Sequence, residues 1–259
     1  MNKIFALAGV VIKELYRRKD FYVLFILTAL LTFAAGSANF FHDAKIVRYL
    51  KDICLLLIWV SALLVAILTA ARQIPAEREA RTIFPLLAKP VSRAQLIVGK
   101  FLGCWLATGL ALFVFYLFFA VITGSREQIW PVGVYLEAAW MQWVMLAIVI
   151  GMVLLGSIYF AAPSSTTTIA FIVVVGILFV GSHLNTIALQ QGEPVQSILA
   201  FLYFTIPHLE WYDLRDFVVY DMGMAPVGAV ALATLYAAAW TGIFLLLTWL
   251  GFRRKNLTT

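Results

Sequence analysis

The side chains best suited to chemistry in this sequence lie in one short stretch, residues 208–216. Glu210, Asp213 and Asp216 follow each other at steps of three, a spacing that would align them along one side of a helix. Together with His208 they could bind a cation, because carboxylate and imidazole groups are common metal ligands. The alternative, which we favour, is that they form the solvated face of a helix.

Other candidate groups for catalysis are scattered. His42 and His183 lie at the ends of apolar runs and match no zinc-binding spacing. Cys54 and Cys104 lie within apolar runs and form no CxxC pair, so we predict no metal or redox site. The hydroxyl-rich run 164–168 has no partner base, and helix capping explains it.

A motif that binds nucleotides is missing as well. The sequence contains no G-x-x-x-x-G-K-[ST] loop, so we do not expect this chain to hydrolyse ATP by itself. We therefore predict that the chain is not an enzyme and carries no cofactor of its own.

A second group of polar residues forms the basic connection, residues 72–100, between two long apolar runs. Its cations are opposed only by Glu77 and Glu79; they are Arg72, Arg78, Arg81, Lys89, Arg93 and Lys100. Within it, residues 82–87 form a short amphipathic segment. Because an amphipathic helix can lay its apolar face into a groove of another protein, we predict that this segment binds a soluble partner. The alternative is a simple hairpin between two spans.

The composition is that of an integral membrane protein. Hydrophobic residues make up 63% of the chain and charged residues 12%, against roughly 45–50% and about 25% in soluble domains. The net charge of +6 does not point to nucleic acid, because the basic residues flank apolar runs, as membrane topology requires. The expected surroundings are membrane lipid. Charges return at Lys13, too early for a cleavable signal peptide.

The elements that must position these groups are apolar runs long enough to cross a bilayer as helices. The predicted fold class is an all-α integral membrane protein with six spans, which are 21–41, 53–71, 96–123, 139–161, 167–184 and 226–252. None carries a charge near its centre, so transport driven by protons or sodium lacks its commonest signature.

The segments outside the spans are also predicted. Residues 1–19 form an amphipathic helix at the cytoplasmic surface, or alternatively a simple tail; its apolar face contains Ile4, Ala8, Val11 and Leu15. Residues 124–138 form a polar turn. Residues 186–225, which are broken at Pro207, form a partly inserted outer hairpin before the last span, or alternatively a pair of interfacial helices.

The distribution of cations predicts the topology. Six spans place both termini on one side, and all but five of the 19 Lys and Arg residues then share that side; the five are Lys45, Arg48, Lys51, Arg126 and Arg215. Since cytoplasmic loops carry an excess of Lys and Arg, both termini and residues 72–95 are predicted to be cytoplasmic. This describes a multi-pass protein of the cell inner (cytoplasmic) membrane.

The basic connection resembles the permease subunits of ABC transporters of the ABC-2 type, including the NosY-like and GldF-like proteins. These commonly show E-x-E-x-G-T, then L-L-x-x-P-x-S-R, and then G-K at the start of the third span. The matching residues here are Glu77, Glu79, Thr82, Leu86, Leu87, Pro90, Ser92, Arg93, Gly99 and Lys100. Arg81 stands where glycine is frequent, so the turn before the helix differs from the usual pattern.

The resemblance implies a permease subunit of an ATP-driven transporter, an exporter in most such families. It implies a homodimer, or a heterodimer with a close relative, that binds two P-loop ATPase subunits, and these hold ATP and Mg²⁺. The implied ATPase-coupling residues are Glu77, Glu79, Arg81, Thr82, Ile83, Phe84, Leu86, Leu87, Pro90 and Arg93. A second cytoplasmic contact is implied at Pro163, Ser164 and Ser165.

Two other classes of function stay open at this point. The chain could be a membrane scaffold or anchor for a larger complex, in which the basic connection recruits a soluble partner without transport. It could also be an integral-membrane enzyme that acts on lipid, with the ring-rich outer segment and its acidic residues as the site.

Overall fold

A computed structural model describes residues 2–17, 26, 29–30, 33, 44–79, 92–127, 130–160, 162–190, 192 and 194–254. Within these ranges every regular element is a helix, which confirms the predicted all-α class for this part of the chain. Most of the predicted first span, 21–41, and residues 80–91 of the basic connection lie outside the described residues.

The helices follow one another in the order of the sequence. They are α1 (Asn2–Tyr16), α2 (Ala44–Arg72), α3 (Pro75–Glu79), α4 (Arg93–Glu127), α5 (Val132–Tyr159), α6 (Pro163–Gln190), α7 (Val195–Thr205), α8 (Arg215–Val219) and α9 (Val227–Arg254), with a 3₁₀ turn at Leu209–Tyr212. Among the described residues, α2, α4, α5, α6 and α9 are long and apolar enough to cross a membrane.

The connection between α4 and α5 is shorter than the predicted polar turn at 124–138. Helix α4 continues to Glu127 and α5 already begins at Val132. Trp130 folds back onto α4, where a Cβ on Gly124 would lie 2.6 Å from its ring. The prediction was wrong because polar residues end the apolar run without ending the helix.

Helix α5 lies at the centre of the bundle. It packs against α2, α4, α6 and α9, and its contact with α9 is the most extensive in the structure. Residues 144–151 are buried on every side of the helix. A helix that is apolar all round is typical of such a central position.

The spanning helices alternate in direction, so two ends of the bundle can be defined. At the Arg93 end, the carboxyl ends of α2, α5 and α9 meet the amino end of α4, and Arg93 reaches the carbonyl oxygen of Phe252. At the opposite Asp213 end, the guanidinium of Arg215 lies 5.9 Å from the ring centroid of Trp59.

Helix α1 packs lengthwise beside α4, with Leu7 against Gly99 and Val11 against Gly103. The face predicted to meet the lipid headgroups contains Ala8 and Val11, and each is only 2% exposed. That face is therefore covered by protein at these two positions. A Cβ on Gly103 would lie 2.6 Å from the Cβ of Val11 and 3.0 Å from backbone atoms of Ala8.

Gly103→Ala is expected to destabilise the protein by about 1–3 kcal/mol, because the added methyl group forces α1 away from α4. Limited trypsin digestion checks this through faster cleavage after Lys13 on α1 and after Arg17, which directly follows α1; both residues are exposed. Gly242→Ala is the matched control, since nothing lies within 4 Å of a Cβ there. Equal cleavage rates in the two variants would show that the glycine contact does not hold α1.

A buried amide joins three spanning helices. Gln142 of α5 is 2% exposed; its Nε2 donates to the carbonyl oxygen of Trp59 on α2 at 3.3 Å, and its Oε1 accepts from the hydroxyl of Tyr116 on α4 at 3.3 Å. Polar side chains inside membrane proteins commonly tie helices together in this way.

Gln142→Leu is expected to lower the free energy of unfolding by about 1–2 kcal/mol, because it leaves the buried hydroxyl of Tyr116 without this acceptor. Unfolding in mixed detergent micelles measures the change. Adding Tyr116→Phe to this variant should lower the free energy of unfolding by little more, since the Tyr116 hydroxyl has already lost its hydrogen bond to Gln142. A further loss of the same size in the double variant would contradict the proposed pairing.

Candidate functional site

Near its start, at Glu77 of α3, the basic connection is bound to α4 through the side chain of Lys100. Its Nζ lies 2.6 Å from Oε1 of Glu77 on α3 and 3.2 Å from Oε1 of Gln73. The Lys100 side chain is 7% exposed and that of Glu77 is 23% exposed. The charge pair therefore lies mostly inside the protein, where water screens it little.

Local structure places Glu77 over Lys100. The amide Nε2 of Gln73 donates to the carbonyl oxygen of Thr69 at 3.2 Å, which holds the turn after α2. Pro75 then begins α3, a position that suits proline because it has no N–H to satisfy. Ile74 is buried in a cluster with Ile97 and Phe252, so the turn also packs onto α4 and α9.

The second end of the basic connection is bound to the last helix. Nη1 of Arg93 donates to the carbonyl oxygens of Phe252 at 2.8 Å and Arg253 at 3.0 Å, and the guanidinium lies 5.6 Å from the Phe252 ring centroid. The last carbonyls of a helix lack partners within the helix and favour a nearby cation. Arg93 therefore caps the carboxyl end of α9.

The start of α4 has its own cap. The backbone N–H of Gln95 donates to Oγ of Ser92 at 3.2 Å, and the N–H of Ser92 donates to Oε1 of Gln95 at 3.0 Å. This reciprocal pair is a capping box, which fixes where the helix begins. Arg93 is consequently held at the first turn of α4, within reach of α9.

Of the residues implied to couple an ATPase, Glu77 and Arg93 have described side chains, and both are engaged within the chain. Glu79 ends α3, but its side chain lies outside what the structure describes. The same holds for the residues between α3 and Ser92; these are Arg81, Thr82, Ile83, Phe84, Leu86, Leu87 and Pro90. Glu77 and Arg93, which we call the two anchors, bind the start and the end of the basic connection to the helix bundle. The structure therefore describes the two anchors but not residues 80–91 between them.

The implied second contact lies at the same end of the bundle. Pro163 begins α6, Ser164 and Ser165 are exposed, and the preceding helix ends beside Gly251 of α9. The capping explanation for the run 164–168 is wrong for its threonines. The hydroxyls of residues 166–168 donate back to carbonyl oxygens four residues earlier, at 2.9–3.1 Å.

The acidic stretch at the Asp213 end is not a single helix. Glu210 lies in the 3₁₀ turn and Asp216 in α8, so the predicted alignment is wrong. Asp213 lies between them and accepts from Arg215, with 2.6 Å from Nη2 to Oδ2, and this hydrogen bond raises the pKa of the guanidinium. Among the described residues no group of three His, Cys, Asp or Glu could hold a metal ion.

Sequence reasoning missed the partners of the two anchors. Gln73 and the carbonyl oxygens of Phe252 and Arg253 were not predicted. One signal was available for the first anchor, because Glu77 and Lys100 flank the same connection with opposite charge. No side-chain pattern marks the second anchor, since its acceptors are backbone atoms.

Comparison with known proteins agrees with the motifs of the basic connection. The model of a family described as "ABC-2 family transporter protein" matches residues 10–257. A relative from Stutzerimonas stutzeri, named "Probable ABC transporter permease protein NosY", is 27% identical over 210 residues, which cover 74% of this chain and 75% of the relative. Members of the family are membrane subunits that normally work with a partner ATPase. Since the match covers nearly the whole sequence, the chain belongs to the ABC-2 family of transporter proteins.

Proposed function

We propose that this chain is the permease subunit of an ATP-driven exporter, in which a separate subunit hydrolyses ATP and the permease moves the substrate across the inner membrane. Two permease chains, identical or closely related, would pair and bind two ATPase subunits. Both termini and residues 72–95 would face the cytoplasm, in keeping with the positive-inside rule.

The observation that carries the proposal is the pair of anchors on either side of the amphipathic segment. Glu77 is bound to Lys100 of α4, and Arg93 is bound to the last carbonyls of α9. Residues 82–87 lie only a few residues from each anchor. A displacement of this segment would therefore move α2, which leads into it, and α4 and α9, to which the anchors bind. Packed helices and buried polar contacts transmit such movements.

The chemistry of the segment suits a groove on a soluble partner. Ile83, Phe84 and Leu86 would supply apolar anchors, as in other helices that bind in grooves. Glu79 and Arg81 would set the orientation through charge pairs at the rim. The exposed Ser164 and Ser165 lie at the same end of the bundle and would form the second contact.

Co-purification with the candidate ATPase in mild detergent tests the proposal. We expect the wild-type chain to retain the ATPase and the double variant Glu79→Arg, Leu86→Asp to lose it, because the variant reverses a rim charge and removes an apolar anchor. The matched control, Asp216→Arg with Tyr220→Asp, likewise changes an acidic residue to arginine and introduces an aspartate, at exposed positions of the Asp213 end.

The possible results separate the classes of function. If the wild type and the control retain the ATPase and the double variant does not, the ATPase docks at the basic connection. If all three chains retain it equally, the ATPase docks elsewhere on the chain. A wild-type chain that never retains an ATPase would favour the membrane scaffold.

A further inference from the structure

One face of α9 changes from apolar to cationic as the helix approaches its carboxyl end. Leu246, Trp249, Leu250 and Arg253 follow each other at steps of three, one and three, so they lie on the same face of the helix. Leu246 is 55% exposed and Leu250 is 37% exposed, and Arg253 is exposed as well. Leu246 and Arg253 are separated by about 10 Å along the helix axis. An exposed apolar surface therefore leads directly to an exposed cation.

Aromatic side chains mark the depth at which this cation lies. The guanidinium of Arg253 lies 5.8 Å from the ring centroid of Trp249. Tyr159, at the end of the neighbouring α5, is 63% exposed, and its hydroxyl would lie 3.3 Å from a Cβ on Gly251. Trp and Tyr are enriched where the hydrocarbon of a bilayer meets the headgroups. Arg253 is therefore held at the depth of lipid headgroups.

The cations at this end of α9 are not neutralised by a described carboxylate. Neither Arg93 nor Arg253 forms a salt bridge within the part of the chain that the structure describes. Arg93 donates through Nη1 to two carbonyl oxygens, and its Nε and Nη2 make no hydrogen bond to a described residue. At the opposite end of the bundle, by contrast, Arg215 is paired with Asp213. The Arg93 end of α9 therefore favours an anionic ligand.

The exposed face below Arg253 favours a lipid over a protein as the source of that anion. A soluble protein could reach the guanidinium but not Leu246, which lies about two helical turns deeper in the membrane. A second copy of the chain in a symmetric contact would bring its own Arg93 end against this one. Cations outnumber carboxylates there in the sequence, so the two ends would repel each other. A phospholipid carries both the anion and the hydrocarbon that this face can accept.

We propose that the end of α9 binds one anionic phospholipid, with its phosphate at Arg253 and an acyl chain along Leu246 and Leu250. Arg93 adds a second positive charge beside the headgroup. A zwitterionic lipid binds more weakly, because the same guanidinium groups repel its cation. Under the topology proposed above this is the cytoplasmic leaflet, whose anionic lipids attract basic residues next to membrane helices. Only the choice of leaflet rests on the proposed function.

Native mass spectrometry of the full chain in detergent tests the proposal, with phosphatidylglycerol as the probe and phosphatidylcholine as the zwitterionic reference. We expect the wild-type chain to retain one phosphatidylglycerol at concentrations at which it retains no phosphatidylcholine. Arg253→Gln should weaken this binding about fivefold, the usual contribution of one basic residue near a membrane surface. The matched control, Arg48→Gln, removes the same charge at an exposed position of the Asp213 end and should leave the binding unchanged.

A soluble competitor shows whether the acyl chains contribute. Glycerol phosphate carries a phosphate group without hydrocarbon, so it makes no contact with Leu246 and Leu250. We expect it not to displace phosphatidylglycerol at equal concentration. Displacement would mean that the cations bind soluble anions in general, and it would overturn the proposal.

Three further results would overturn the proposal. Equal retention of the two lipids would mean that charge does not select the ligand. Equal weakening by Arg253→Gln and Arg48→Gln would mean a general attraction between a basic chain and anionic lipid. Release of phosphatidylglycerol on addition of the candidate ATPase would mean that the ATPase occupies this surface. Because the lipid is measured without the ATPase, a chain that binds the lipid and no ATPase contradicts the proposed function and not this site.

Discussion

Replacing Glu77 with leucine is expected to destabilise the protein by about 3 kcal/mol, because it leaves the ammonium group of Lys100 buried without its carboxylate. The Lys100 side chain is 7% exposed, so water cannot take the place of the lost oxygen. Gln73 still accepts from Lys100 at 3.2 Å, but a neutral amide compensates a buried charge less well than a carboxylate. The free energy of unfolding in mixed detergent micelles measures the effect.

A double-mutant cycle separates this pair from general damage to the fold. Lys100→Met alone should also destabilise the protein, because it leaves the carboxylate of Glu77 without its cation and one oxygen of that carboxylate, Oε2, is itself buried. The double variant should recover much of the loss, since two apolar side chains can replace a buried ion pair at little net cost. Losses that simply add would show that the two groups do not stabilise each other.

Arg93→Ala is expected to open the last turn of α9, because it removes the donor to the carbonyl oxygens of Phe252 and Arg253. Hydrogen bonds from a charged donor contribute about 1.5–3 kcal/mol each, and the partial exposure of Arg93 reduces that figure. We expect amide hydrogen exchange near Phe252 to become at least about tenfold faster.

Arg253→Gln is the control for this prediction. It removes a cation that lies 5.8 Å from the ring centroid of Trp249 but leaves both bonds from Arg93 in place. Its exchange rates should therefore stay close to those of the wild type. If the two variants exchange alike, Arg93 does not hold the helix end.

The helical class could be predicted because an uncharged run of about 20 residues has few ways to satisfy its backbone in lipid. Helix ends could not be predicted as well. The polar residues after Thr123 end the apolar run, and yet α4 continues to Glu127, since polar side chains suit a helix that extends beyond hydrocarbon.

The pairing of Glu77 with Lys100 was not predicted, although their opposite charges within the basic connection gave a signal for it. The contact of Arg93 with Phe252 gave no such signal, because a side chain there meets backbone 159 residues away along the chain. The packing of α1 could be predicted only in part. Gly99 and Gly103 form a G-x-x-x-G pattern, which is typical of close helix contacts, but the pattern does not name the partner helix.

The central position of α5 has a consequence for how the protein is made. In the folded chain, 78% of the most apolar 18-residue stretch of α5 is buried, whereas only 11% of the corresponding stretch of α9 is buried. During synthesis, however, α5 enters the membrane before α9 and must first lie in lipid. Membrane helices insert first and associate afterwards. The contact between α5 and α9, the most extensive among the described helices, therefore cannot form until α9 has been synthesised. A nascent chain that stops before Val227 would therefore leave the side of α5 that packs against α9 in contact with lipid.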